Sequence, residues 1–192
     1  MEQLIAQIER YTPYNEQEMQ DKALILSLLH SGAELITRNN PAAHLTASAW
    51  VVSPDRKQVI MVYHNLYQSW AWMGGHADGD WDLLRVAKKE VMEECGLDDL
   101  TVVSPEIFSL EVLTVDGHEK RGKYLSSHLH LNVTYLFEAD PKKALHIKPD
   151  ENSGVAWVAA EDVPQKTSEP WFRDRIYSKL QEKAEKTFQN GQ

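Results

Sequence analysis

The chain has 192 residues, 42% hydrophobic and 26% charged, with a net charge of −9, the balance of a soluble globular protein with room for one real core. So acidic a chain is not built for general binding to nucleic-acid backbones, no apolar run approaches membrane-spanning length, and the start lacks a basic stretch followed by an apolar one. The lone cysteine, Cys95, excludes an intrachain disulfide and suits a reducing, cytoplasmic setting.

In chain order, residues 1–36 carry helical patterns. Leu4, Ile5 and Ile8 make a short amphipathic piece and Pro13 interrupts it. A second helix is expected from about Asn15 to Leu29, with Leu24, Ile25, Leu28 and Leu29 on its apolar face. Packing or homodimer formation explains such faces better than catalysis. Asn39-Asn40-Pro41 marks a turn. The expected organisation is an N-terminal helical extension over 1–40, packed on a single globular domain over 41–192. From Leu45 the period changes. Leu45 to Val52 is strand-like, Pro54-Asp55 is a turn, Val59 to Tyr63 is a second strand, and Trp70-Ala71-Trp72 is a short apolar segment. Of Tyr67, Trp70 and Trp72, most are expected in the core, with one exposed ring available to stack on a base.

The stretch from Gly74 to Leu97 is the one the chain is organised around. Its first half is a loop rich in glycine and aspartate. Its second half reads as a helix that Asp80 or Asp82 can cap and Gly96 can stop. Leu84, Ala87, Val91 and Cys95 share one helical stripe that should pack on the core. Glu90, Glu93 and Glu94 are neighbours at spacings of three and four. Near a helix C-terminus they repel one another and meet the wrong end of the dipole, so a compensating charge is required, and hard divalent cations take oxygen ligands of this kind. A lone E-x-x-E-E is more simply a solvated face; the Gly-Gly ahead and the Gly-apolar pair behind argue for the metal.

After this stretch, Ile107 to Val115 alternates around β-formers, Asp116-Gly117 signals a turn, and Tyr124 to Phe137 is expected as one long return strand. Alternation puts His128, His130 and Asn132 on one of its faces, which either meets water or lines a substrate cavity. No cysteine or histidine pair accompanies these histidines at a recognisable spacing, so zinc is not expected there. Lys120, Arg121 and Lys123 form a basic cluster at a hairpin tip, solvated by default and a phosphate contact otherwise. A loop with Pro141 and Pro149 follows, then a short strand from Val155 to Val158 and a terminal helix from Trp171 to Phe188. Strands and helices intermix over one domain length, an α/β order.

The register from Gly75 to Leu97 resembles the Nudix box, G-x5-E-x7-R-E-U-x-E-E-x-G-U with U apolar. Gly75, Glu90, Val91, Glu93, Glu94, Gly96 and Leu97 fit, while Trp81 stands where the first glutamate belongs and Lys89 where the arginine belongs. In that family the two departing positions mainly brace the loop against the helix; Asp80 or Asp82 paired with Lys89 is the expected replacement. The resemblance implies an α/β/α sandwich with a mixed β-sheet. It also implies Mg²⁺ or Mn²⁺ held by Glu90, Glu93, Glu94 and the Gly74 carbonyl. The implied reaction is water attack on phosphorus in a nucleoside diphosphate linked to another moiety. The proton acceptor is Glu151, in the loop ahead of the strand at Val155, or Glu94, with Glu93 beside it; His76, His128 and His130 are the expected substrate contacts. A Nudix-fold sensor that binds such a ligand without cleaving it is the competing reading, left room by Trp81 and Lys89. An isopentenyl-diphosphate-isomerase-like activity is set aside, because it relies on a cysteine ahead of the box helix and Cys95 lies at the helix end. Residues that resemble markers for ADP-ribose or NADH cleavage are missing after the box, which leaves the substrate open.

Overall fold

The computed structural model describes residues 1–120 and 122–190. Two helices come first, α1 (Glu2–Arg10) and α2 (Glu16–His30), parted around Pro13 as the sequence predicts. Asn15 caps α2 by accepting from the Glu18 N–H at 2.9 Å, which satisfies one donor that the first turn leaves unpaired. Leu4, Ile8, Ile25 and Leu29 are buried. Leu24, expected on the apolar face, is exposed, because the buried face of α2 follows Glu18, Ile25 and Leu29, and Leu24 lies off it.

The remaining elements are β1 (Ala43–Val52), β2 (Gln58–His64), β3 (Ser69–Ala71), β4 (Met73–His76), α3 (Leu83–Cys95), β5 (Thr101–Val102), β6 (Ser109–Val115), β7 (His118–Lys120), β8 (Lys123–Leu125), β9 (His128–Glu138), β10 (Asn152–Ala159), α4 (Val163–Lys166) and α5 (Ser178–Asn190). Eight strands form one sheet in the order β10-β2-β1-β9-β5, with β3 on β2, β4 on β1 and β6 on β9. The pairs β6–β9 and β10–β2 are antiparallel. β1 and β9 run parallel: the Leu129 N–H donates to the Ala42 carbonyl at 2.9 Å and the Ala139 N–H to the Val52 carbonyl at 3.1 Å, so both strands advance in the same direction. The sheet is therefore mixed and flanked by helices, the α/β/α sandwich that the sequence implied. All of β1 is buried, as in strands covered on both faces. Among the described residues no helix is long and apolar enough to cross a membrane.

The expected single return strand is two pieces. β7 and β8 pair as a separate hairpin, with Gly122 near its tip at φ +72°, and β9 begins only at His128. The break lies at Ser126-Ser127, where the Ser127 hydroxyl accepts from the Gly117 N–H at 2.9 Å instead of continuing a ladder. Of the basic cluster, Lys123 is exposed on β8 and Arg121 lies outside the described residues. The terminal helix starts with a wide turn over Phe172–Tyr177 before α5 proper.

By internal contacts the chain divides into two units, one of Met1–Ser48, Gly75–Val86 and Glu106–Tyr135, the other of Ala49–Gly74, Ala87–Pro105 and Leu136–Gln192. The second is anchored by aromatics: Trp50 stacks on Tyr177 and Trp72 meets the same ring edge-on, both at 5.7 Å. Of the three rings ahead of the box, Trp72 is therefore core, Trp70 packs against Tyr63 at 5.8 Å, and Tyr67 is exposed.

The first unit has a polar interior. Asn132, 1% exposed, accepts from the Thr46 and Ser48 hydroxyls at 2.9 Å each, and donates to Glu111 at 3.0 Å and Thr134 at 3.1 Å. Its amide thus fills all four of its hydrogen-bonding places. Ser109 bridges Glu111 to Glu18, reaching the latter at 2.7 Å, and Tyr11 donates to Glu18 at 2.5 Å. Asn132 consequently serves neither water nor a cavity: it holds a network between strands and α2. Asn132→Leu is expected to destabilise the chain by about 2–4 kcal/mol, because it takes one hydrogen bond from a buried carboxylate and one from each of three hydroxyls. Urea unfolding of the variant checks this; a loss within 0.5 kcal/mol, the range of neutral surface changes, refutes it.

Candidate functional site

Helix α3 starts where Asp82, rather than Asp80, caps it: the Asp82 side chain accepts from the Arg85 N–H at 3.1 Å. Asp80 instead pairs with Arg85, at 2.6 and 2.8 Å. Gly96 ends the helix at φ +77°, a conformation glycine takes at low cost. The buried stripe is Leu83, Ala87, Val91 and Cys95, with Leu84 only half-buried. Cys95 is inert in this position, its thiol buried and donating to the Val91 carbonyl at 3.1 Å.

That stripe fixes which way the glutamates look. Glu94 is 4% exposed, and its Oε1 accepts from the Gly74 N–H at 2.9 Å. Burial pushes its carboxyl up to about 8; the Gly74 bond opposes this, and the charges of Glu90 and Glu151 add to it. Burial, followed by the charge of Glu93, raises Glu90 as well. Glu93 sits between two ammonium groups, with Lys89 Nζ at 3.3 Å and Lys148 Nζ at 3.5 Å. Lys148 also reaches Glu151 at 3.0 Å. The expected pairing of Lys89 with an aspartate of the loop is thus replaced by Lys89–Glu93, since one helical turn brings the two together.

The loop carrying Glu151 therefore folds over the glutamate cluster. The Glu151 and Asn152 N–H groups both donate to the Lys148 carbonyl, at 2.9 and 2.8 Å, and the Glu151 carbonyl accepts from the Asn65 N–H at 3.0 Å. Asn152, fully buried, donates to the Glu94 backbone carbonyl at 2.9 Å and ties the loop to the end of α3. Sequence reasoning missed Asn152: an asparagine after two acids looks like any loop residue, and only its burial reveals the tie. Glu90, Glu93, Glu94 and Glu151 thus lie near enough to feel one another's charge, with Gly74 bonded to Glu94.

A second group of residues gathers on the first unit. The rings of His44, His76 and His130 form a triangle with every centroid pair 5.0 Å apart. His128 lies 5.0 Å from His44 and 5.1 Å from His130. Burial, then the neighbouring imidazoles, lowers the His130 pKa to about 2, and burial lowers that of His44. His76, His128 and His130 were singled out from the sequence and are brought together. His44 was not, although a signal was there: His44, Thr46 and Ser48 alternate on β1 as His128, His130, Asn132 and Thr134 do on β9.

The NUDIX domain model matches residues 42–180, and no curated protein matches the chain. Among solved structures the chain is similar to an Ap4A hydrolase of C. elegans in a binary complex, at 18% identity over 77% of this chain and 98% of that one, with a TM-score of 0.56. It is also similar to the dihydroneopterin triphosphate pyrophosphohydrolase of E. coli, at 14% identity, 76% and 97% coverage and a TM-score of 0.53. A Nudix hydrolase of M. smegmatis aligns at 15% identity, 74% and 86% coverage and a TM-score of 0.53. Likeness at these identities speaks for the fold alone.

Proposed function

The chain belongs to the NUDIX domain family, and from that premise we propose that it is a hydrolase of a diphosphate linkage in a nucleoside diphosphate joined to another moiety. The observation that carries this reading is the convergence of Glu90, Glu93, Glu94 and Glu151 beside Gly74, with two lysines drawn in to balance them. An all-oxygen donor set that already gathers positive charge fits a hard cation. Mg²⁺ or Mn²⁺ at Glu90, Glu93, Glu94 and the Gly74 carbonyl would screen the phosphate oxygens and acidify a water. The chain's own residues do the rest. Glu151, its side chain 44% exposed, is open to the attacking water and takes its proton, whereas the Glu94 carboxylate is buried and bonded to the Gly74 N–H. Glu93 is oriented by its lysines, and His76, His128 and His130 contact the substrate. The names of two similar structures, an Ap4A hydrolase and a triphosphate pyrophosphohydrolase, support a phosphoric anhydride as the bond that is cut.

The test is a screen of nucleotide-sugars, dinucleotides, coenzyme A and nucleoside triphosphates for phosphate release with Mg²⁺ or Mn²⁺. Release is expected with at least one class, dependent on the metal and lost in Glu93→Gln/Glu94→Gln. Trp81 and Lys89 at the two brace positions favour one other reading, a sensor that binds such a ligand without cleaving it. No release from any class, together with a ligand that raises the melting temperature, would establish the sensor instead.

A further inference from the structure

We propose that His44, His76 and His130 form a second metal site, one that takes a divalent transition-metal ion, foremost Zn²⁺, through three imidazole nitrogens. The proposal does not rest on the hydrolase reading, since none of the glutamates takes part; with the ion bound, His76 and His130 would reach a substrate through it rather than directly. One ligand nitrogen from each ring lies within 4.8 Å of the other two. Tetrahedral Zn–N bonds of about 2.0–2.1 Å need nitrogens about 3.3–3.5 Å apart, so small ring rotations close the site.

Two further observations point to a ligand. The Nε2 atoms of His44 and His130 are both buried and have no hydrogen-bond partner among the described residues. A buried polar atom left so is costly, and a bound ion would take both lone pairs. In addition, His44 Nδ1 faces the Asn40 carbonyl at 3.3 Å. A proton on Nδ1 donated there leaves the Nε2 lone pair available to an ion, the outer-shell arrangement that metal-binding histidines use. Nitrogen ligands favour Zn²⁺ and its neighbours over Mg²⁺, so the site selects a different class of ion from the carboxylates. Three protein ligands also leave one coordination position for water or an anionic group. The chain shows no zinc spacing in its sequence because the ligands come from three strands, β1, β4 and β9, far apart in sequence.

The experiment uses the full chain without an affinity tag, stripped by a chelator and titrated with Zn²⁺ by calorimetry. Mg²⁺ in large excess keeps the carboxylates occupied. One equivalent is expected to bind, and Co²⁺ in its place should show the absorption of a tetrahedral nitrogen site. His44→Gln and His130→Gln should each weaken binding by about a hundredfold or more, beyond the 10–100-fold typical of losing an outer-shell partner. Glu93→Gln/Glu94→Gln should leave it unchanged. Less than a tenfold loss in both histidine variants, or loss in the glutamate variant, would overturn the proposal. Should these variants fail to fold by circular dichroism, His76→Gln, at a half-buried position like His130, replaces them. Histidine ¹⁵N spectra of the unaltered chain give the independent readout: three imidazoles must shift on adding Zn²⁺, and unshifted signals reject the site.

Discussion

Glu151→Gln is expected to lower turnover by about two to four orders of magnitude, the scale of losing general-base catalysis. The substitution keeps size and polarity and removes the charge proposed to accept a proton, together with its ion pair to Lys148 at 3.0 Å. The backbone bonds of this loop, from Glu151 and Asn152 to Lys148 and from Asn65 to Glu151, do not involve the carboxylate, so the loop stays in place. KM should change little, because the group acts chiefly in the transition state. Asp150→Asn is the control, with the same charge change one residue earlier and an expected turnover near normal. Steady-state kinetics of the two variants decide between three outcomes. A fall in Glu151→Gln alone supports the assignment. Collapse in Asp150→Asn alone moves the role to Asp150. Near-normal turnover in both leaves Glu94 as the base.

Without added metal, the chain loses stability as pH rises from about 5 to about 9, and Glu94→Gln removes much of that loss. The Glu94 carboxyl is raised from 4.5 to about 8 by burial. Between these values the folded chain keeps a proton that the unfolded chain has released, so unfolding gains as protons become scarce. The neutral form's contribution is complete below about 4.5 and is gone once pH has passed through about 8. At about 1.4 kcal/mol per unit this is at most about 5 kcal/mol. Divalent cations bind the ionised carboxylate, so Mg²⁺ should raise the melting temperature more at about pH 9 than at about pH 5.5. Melting curves against pH, with and without Mg²⁺, measure both effects. Parallel curves for the unaltered chain and Glu94→Gln would show that Glu94 does not govern this slope.

Local pattern by itself determined the box helix, its acidic cluster and the five longest strands, β1, β2, β6, β9 and β10. Helix capping by an aspartate, the stop at Gly96 and the three-and-four spacing of Glu90, Glu93 and Glu94 depend on residues within a turn or two, where backbone geometry fixes neighbours. The family resemblance likewise points to Gly74 and to Glu151 as candidates. Only the tertiary structure decided what crosses the chain. It broke the return strand at Ser126-Ser127, because a separate hairpin takes up Lys123–Leu125. It turned Asn132 into a core residue, because parallel pairing sets β9 beside β1 and its Thr46 and Ser48 hydroxyls. It drew Lys148 to Glu93 and Glu151, and it set His44 beside His76 and His130. An alternating strand declares that two faces exist, but which strands become its neighbours depends on long-range pairing, and no short window of sequence contains that information.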